Sequence, residues 1–474
     1  MTRILPESTP PAPSGSDDGW RALFSRPHRA AVVVMASGVG LYAMNLYFTA
    51  ALLPSVVADV GGAAYFAWAS TGYLITAVIA TMFAQRILAT RGPARAYVVA
   101  YLLFAAGTVL SALAPSMELF VAGRAVQGVG AGLLTGLGFA VIRGTVPEAL
   151  WTRATGLISA MFGVGTLIGP ALGGLFAQAG AWRVGFATLA VTALALAAVT
   201  LRALPTEKPA RSAQPPVPVV PIVLLAATAA ALSVSSILGG AAAVVLVGVG
   251  LAVLIAFLVV DARTAHGVLP RLTYSRGNPL KWVYLTVAAF CAGVMAENFI
   301  PLFAQQLAGL GPLPAGLLGA VLSFGWTAAQ LFSVNASRVT ATRLIRLGPV
   351  LMSVGILGYG LLQLADASVV VVVLWALLLL MAGAGVGLAF PHLTVAAMSA
   401  AVDPAEGAKA SAAVSTTQLI TFTLASAAAG NLLTLGAGSP ADGARWVLLG
   451  VGVLTIPGIL TAALLTRSHR RSMP

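Results

Sequence analysis

Charge is scarce in this sequence. Of its 474 residues only 8% are Asp, Glu, Lys or Arg, against about 25% in an ordinary soluble protein. So few ions cannot cover the surface of a water-soluble fold, whereas lipid solvates an apolar exterior directly. Cysteine is nearly absent: Cys291 stands alone, so no intrachain disulfide can form. Four histidines and no clustered His/Asp/Cys set leave no metal centre to expect, and no cofactor is expected. No nucleophile–base pair lies in the apolar stretches, which argues against an enzyme. No G-x-x-x-x-G-K-[ST] loop occurs, which argues against direct use of ATP.

Acids are half as frequent as bases, 13 against 26, for a formal charge of +13. In a soluble protein that excess would suggest nucleic acid. Its distribution excludes that reading. With a cytosolic amino terminus, 23 of the 26 Lys and Arg fall in or beside segments on one side of the membrane. Only Arg183 and Arg445 fall on the other, and Arg124 lies within a span. This is the positive-inside bias of a plasma-membrane protein with both termini in the cytosol.

What is abundant is apolar sequence, 59% of residues, arranged in runs of spanning length. Spans are expected at 31–54, 65–86, 96–114, 118–141, 155–176, 184–203, 219–236, 240–260, 282–304, 314–335, 347–364, 368–391, 409–434 and 445–466. The Gly-rich break at 236–241 keeps counts of twelve or thirteen open beside fourteen. The fold class is an all-α polytopic membrane protein. Its organisation reads as a disordered tail (1–28), a six-helix bundle (29–204), a Pro-rich linker (205–218), two further spans (219–260), a loop (261–281), a second six-helix bundle (282–466) and a tail (467–474). Short basic loops at 86–95 and 338–349, each containing Ala-Thr-Arg, sit at equivalent places in the two bundles.

Two motifs stand inside the membrane. Gly165, Gly169, Pro170, Gly173 and Gly174 read GxxxGPxxGG. Small residues four apart admit a neighbouring backbone, and the proline bends the helix. In 120–132, Arg124 lies about two turns from its span's end, beside Gln127 and a run of glycines. A buried cation in lipid costs several kcal/mol unless paired or wetted, so Arg124 either faces a cavity or snorkels to the headgroups.

Together these segments resemble the major facilitator superfamily, in particular its fourteen-span drug:proton antiporter branch. GPxxGG looks like that branch's fifth-span antiporter motif. RAVQGVGAG looks like its fourth-span motif, whose arginine is implicated in proton coupling. Trp182 and Arg183, ALLP (51–54) and GVGLAFPHLT (385–394) match further family positions. The resemblance implies two six-helix bundles around a central cavity, with two additional central spans. It also implies a cytosolic gate, here Arg91, Gly92 and Arg95. The sequence departs from the pattern at Asn45, where the family has an aspartate, and at Gln85, Ala89, Pro93 and Ile345 in the two gate loops.

Among the acids, Glu297 alone sits well inside a span, at a depth of about 10 Å similar to that of Arg124 and Asn45. Glu297 is therefore expected to carry a proton, with Arg124 as an intermittent partner; the competing readings are a fixed structural ion pair and a Glu297 that merely shapes the cavity. Asn45, Tyr47, Phe48, Gln127, Asn298, Trp326, Gln330 and Gln418 are candidates to line a substrate cavity. The expected activity is proton-coupled export of a hydrophobic or amphipathic compound by a monomer. The expected partners are a small lipophilic substrate, protons and the lipid bilayer. Export or flipping of a lipid, glycolipid or natural product, and a non-transporting sensor, remain open.

Overall fold

The computed structural model describes residues 21–471 except 142–146, 148–149, 205–216, 239, 265–266, 276, 334–335, 401–403 and 437. Most of the linker expected at 205–218 and the tail as far as residue 20 thus lie outside the described residues. The remainder is helical, in chain order: α1 (Arg26–Val60), α2 (Phe66–Arg91), α3 (Pro93–Ala112), α4 (Met117–Ala140), α5 (Trp151–Gln178), α6 (Trp182–Ala203), α7 (Val219–Leu238) and α8 (Gly240–Arg263). The second half holds α9 (Leu280–Val294), α10 (Ile300–Ala308), α11 (Pro312–Ser333), α12 (Arg338–Leu361), α13 (Val369–Met398), α14 (Pro404–Leu435), α15 (Pro440–Thr455) and α16 (Pro457–Arg471).

Twelve of the described segments are long and apolar enough to cross a bilayer. The fourteen crossings expected from sequence are not reached by that measure. Helices α4 and α5 have the length, at 24 and 28 residues, but are not among the twelve. In α4 the cause is visible: Arg124, Gln127 and interspersed glycines dilute its apolar side chains. Side chains in the first part of α5 lie outside the described residues. The uncertain break near 236–241 is a true one, since α7 ends at Leu238 and Gly240 starts α8 with φ of 55°.

Three boundaries differ from the expectation. Residues before α1 are ordered sooner: Leu23 is buried, and Ser25 precedes a helix with Pro27 in its first turn. The loop expected at 86–95 shrinks to Gly92, whose φ of 75° turns the chain between α2 and α3. Pro93 then opens α3, where a missing N–H costs nothing. The loop expected at 338–349 is helix, because Ser337 accepts the Thr340 amide and caps α12.

The fourth difference matters most. The span expected at 282–304 is interrupted by a 3-10 turn, Met295–Asn298, between α9 and α10. Pro301 lacks the amide that would bond the Glu297 carbonyl, and its ring crowds that carbonyl. The last span breaks similarly at Pro457, between α15 and α16.

Alternating helix directions sort the ends into two faces. The proximal face carries Arg91, Arg202, Arg263, Arg338 and Arg346. The distal face carries the ion pairs Arg183–Asp59 and Arg445–Asp442. Helices α1–α6 form one bundle and α9–α16 the other. Between them, α7 touches both α2 and α14, while α8 packs on α7 and leaves Val244, Val245 and Ile255 exposed. At the proximal end of α8, Asp261 is buried and accepts the amides of Val268 (2.6 Å) and Leu269 (3.1 Å) and the Tyr274 hydroxyl (2.8 Å). That carboxylate ties the loop leading to α9.

The bundles meet along a seam that the described contacts close on the distal side. Thr71 of α2 donates to Ser426 of α14 at 2.9 Å, and Phe66 packs on Phe299 with ring centroids 5.5 Å apart. Helix α5 joins the seam through its glycines. A Cβ on Gly165, Gly169 or Gly173 would lie 2.5–2.6 Å from the backbone of α1. Gly174 faces Leu313 instead, and Gly316 of α11 meets the Pro170 carbonyl. The GxxxGPxxGG motif is thus a two-sided packing surface that brings α5 against its own bundle and the opposite one.

Candidate functional site

At the level where α1 crosses the seam, polar side chains are buried in two groups. The first surrounds Arg124, which is fully buried. Its Nε donates to the Ala69 carbonyl of α2 (3.1 Å), and Nη1 donates to Asn45 Oδ1 (3.2 Å) and to Gln127 Oε1. Gln127 Nε2 donates in turn to Asn45 Oδ1 (3.1 Å) and Thr108 Oγ1 (2.6 Å). The guanidinium lies over the Tyr73 ring, 4.2 Å from its centroid, a cation–π contact that helps to hold a desolvated cation. Arg124 therefore does not snorkel.

The second group surrounds Glu297 in the 3-10 turn. Its Oε1 accepts the Ser323 hydroxyl of α11 at 2.7 Å, while Oε2 has no partner in hydrogen-bond geometry among the described residues. Tyr47 lies beside the same carboxyl. Among the described residues, Asn298 donates to the Met295 sulfur at 3.5 Å.

The expected Arg124–Glu297 pair is not formed. The reason lies in α1, which stands between them. Asn45 and Tyr47 are two residues apart, and at about 100° per residue they point some 200° apart. One faces Arg124 and the other Glu297, so each charge meets a neutral side chain of α1.

The remaining candidates divide. Trp326 donates to Gln330 at 3.0 Å, and its ring lies 5.6 Å from Phe390, so this pair faces α13. Gln418 lies beside Cys291 of α9. Phe48, expected in the cavity, packs instead against Phe176 and Phe186 inside the first bundle, with both ring centroids at 6.0 Å. One residue beyond Tyr47, it has turned to the α5–α6 face. Arg91 and Arg95 line a cavity of about 380 Å³ with Thr90, Val98, Val99 and Leu201, and a second of about 320 Å³ lies between Thr76 and Leu133. Both belong to the first bundle, away from Glu297. Tyr73, Thr108, Ser323 and the Ala69 carbonyl were not legible as site residues, since nothing marks them before the helices are placed together.

Comparison with known proteins agrees with this architecture. The chain matches the Major Facilitator Superfamily over residues 35–425. A probable multidrug-efflux transporter of Mycobacterium tuberculosis is 39% identical over 468 residues, 95% of this chain and 97% of that protein. Among solved structures, a POT family transporter in complex with 5-aminolevulinic acid matches with a TM-score of 0.68 at 13% identity, over 94% of this chain and 97% of that one. A bacterial homologue of the human lysosomal transporter Spinster matches with a TM-score of 0.65 at 14% identity, over 94% and 98%. At such identities the structural matches speak for the fold alone. Two helical bundles with polar groups buried along their seam, matched by one family over most of its length, place this chain in the Major Facilitator Superfamily of membrane transporters.

Proposed function

We propose that this transporter exports hydrophobic or amphipathic small molecules in exchange for protons, by alternating access. In this reading it crosses the membrane fourteen times, with the basic proximal face and both termini in the cytosol. The observation that carries the reading is Glu297. It is an acid buried in a helix interruption at the seam, held through one oxygen by Ser323, with Tyr47 beside the carboxyl and no partner in hydrogen-bond geometry for its other oxygen among the described residues. A carboxyl's proton affinity depends on whether it meets water, charge or apolar surroundings. Rocking one bundle against the other would expose Glu297 to each aqueous face in turn, so that it loads from one side and discharges to the other. Its place in a 3-10 turn, rather than in a continuous helix, gives it a backbone able to follow that motion. Arg124, held by Asn45 and Gln127, is then a fixed positive reference on the opposite side of α1.

The efflux activity in the name of the mycobacterial relative supports export over uptake. The test is flux of a fluorescent amphipath in proteoliposomes under an imposed proton gradient. Glu297→Gln is expected to remove the gradient dependence; if that dependence persists, Glu297 is not the coupling group.

A further inference from the structure

Around Arg124 every neighbouring acceptor is engaged, while some donors are not. Asn45 Oδ1 takes hydrogen bonds from Arg124 (3.2 Å), Gln127 (3.1 Å) and Thr49 (3.5 Å). Gln127 Oε1 takes one from Arg124, and the Ala69 carbonyl takes another. Among the described residues, three polar atoms of the same cluster have no partner in hydrogen-bond geometry: Arg124 Nη2, Asn45 Nδ2 and the Tyr73 hydroxyl. They come from α4, α1 and α2, and their residues are fully buried. The Tyr73 hydroxyl lies next to the Asn45 side chain, and the Tyr73 ring lies under the guanidinium. Every one of the three can donate a hydrogen bond.

Charge is unbalanced in the same sense. All of Arg124's hydrogen-bond acceptors are neutral, and no described carboxylate pairs with it. A buried guanidinium without a counter-charge is costly, and an anion able to accept from Nη2 would relieve both deficits. The cluster also borders the seam. Tyr73 stacks on Tyr42, with ring centroids 6.1 Å apart, and Tyr42 lies near Cys291 of the second bundle.

We infer that Arg124, Asn45 and Tyr73 form a docking point for the carboxylate of an amphipathic substrate. This rests on the reading that substrate passes through the seam, and it narrows the substrate class to monoanions. One guanidinium supplies one positive charge, which suits a carboxylate better than a phosphate dianion. Arg124 Nη2 and Asn45 Nδ2 would donate to its two oxygens, and the Tyr73 hydroxyl would donate to one of them.

The experiment is equilibrium binding to the purified full-length protein in detergent. The probes are naphthylacetate and its methyl ester, which differ in charge but little in shape. The wild-type protein is expected to bind the acid about tenfold more tightly than the ester, the scale of one charge-assisted contact in a buried site. Asn45→Asp places a permanent carboxylate against Arg124. It should reduce that preference to about twofold or less, read as the ratio of acid to ester affinity in the same variant. Equal wild-type affinities, or a preference that survives Asn45→Asp, would overturn the inference. If Asn45→Asp does not fold, Tyr73→Phe serves: a preference reduced about threefold supports the docking point, and an unchanged one overturns it. Repeating the titration in chloride and in gluconate separates a substrate site from a site for free anions. Chloride that binds without competing with naphthylacetate counts against the inference. No proton gradient enters this measurement. A Glu297→Gln protein that keeps gradient-driven flux would defeat the coupling proposal and leave the acid preference standing, and equal acid and ester affinities would do the reverse.

Discussion

The buried cation and the buried acid sit at similar depth, yet their surroundings are built differently. Arg124 belongs to an uninterrupted helix wedged between two others. A Cβ on Gly128 would stand 2.2 Å from the Tyr73 carbonyl, one on Gly132 2.1 Å from that of Ala77, and one on Gly130 2.3 Å from the Phe104 amide. There α4 packs backbone against backbone, with no side chain between to yield. Glu297 instead follows a helix that stops short of it, and its neighbourhood is packed by side-chain ends. A Cβ on Gly293 would meet the terminal methyl of Met352 at 2.1 Å. Methionine is unbranched and adapts its rotamers, so this contact can yield. The contrast teaches that one charge is braced by backbone-to-backbone packing, whereas the other stands on a helix interruption beside side chains.

That difference can be tested step by step. The largest effect is expected from Glu297→Gln, which should reduce gradient-driven flux to background, as set out above. Next, alanine at the two glycines should separate rigid from yielding packing. Gly128→Ala is expected to cost about 1–3 kcal/mol, or to prevent folding, because overpacking falls on backbone atoms. Gly293→Ala should cost less than Gly128→Ala, because its tightest contact is the movable Met352 tip and only the Thr455 methyl at 2.9 Å resists. Thermal unfolding in detergent measures both, and equal costs would erase the distinction. Pro301→Ala restores the amide that could bond the Glu297 carbonyl and run α9 into α10. Because Pro301 stands in the first turn of α10, where proline is tolerated, stability should change by less than about 1 kcal/mol while flux falls several-fold. Unchanged flux would show that the interruption does not serve movement.

The smallest effect lies outside both centres. Tyr274→Phe removes one hydrogen bond to Asp261 and should cost about 1 kcal/mol without altering flux. Burial, reinforced by the Asp261 carboxylate, raises the Tyr274 hydroxyl well above its ordinary value of 10.0. Its contribution is therefore complete below pH 10 and is lost only as pH rises through the raised value, so wild type and variant should differ by a constant amount from pH 6 to 9.

Much of this was legible in the chain itself. Apolar run length and the side preference of Lys and Arg located nearly every helix. The cost of charge in lipid singled out Arg124 and Glu297 before any contact was known. Glycines four apart announced a close helix approach at 165–174. Other features were hidden. Asp261, one residue past the span expected at 240–260, carries no mark in the sequence, yet it is buried and accepts three hydrogen bonds. The turn at 295–298 had a visible cause in Pro301, but a proline in a span is also compatible with a simple kink, as Pro54, Pro170, Pro349 and Pro391 show within continuous helices.

Partnership was the least legible property. Arg124 and Glu297 have opposite charges at one depth, which suggests a pair, but α1 stands between them and offers an amide to one and a phenol to the other. Sequence determined which residues could not tolerate lipid, because burial cost is a property of the side chain and of its distance from the span's end. Tertiary structure alone decided what each of them faces. Asn45 and Arg124 are 79 residues apart, as are no two groups within reach of a helical repeat, and the contact between them depends on how two packed helices are rotated about their axes.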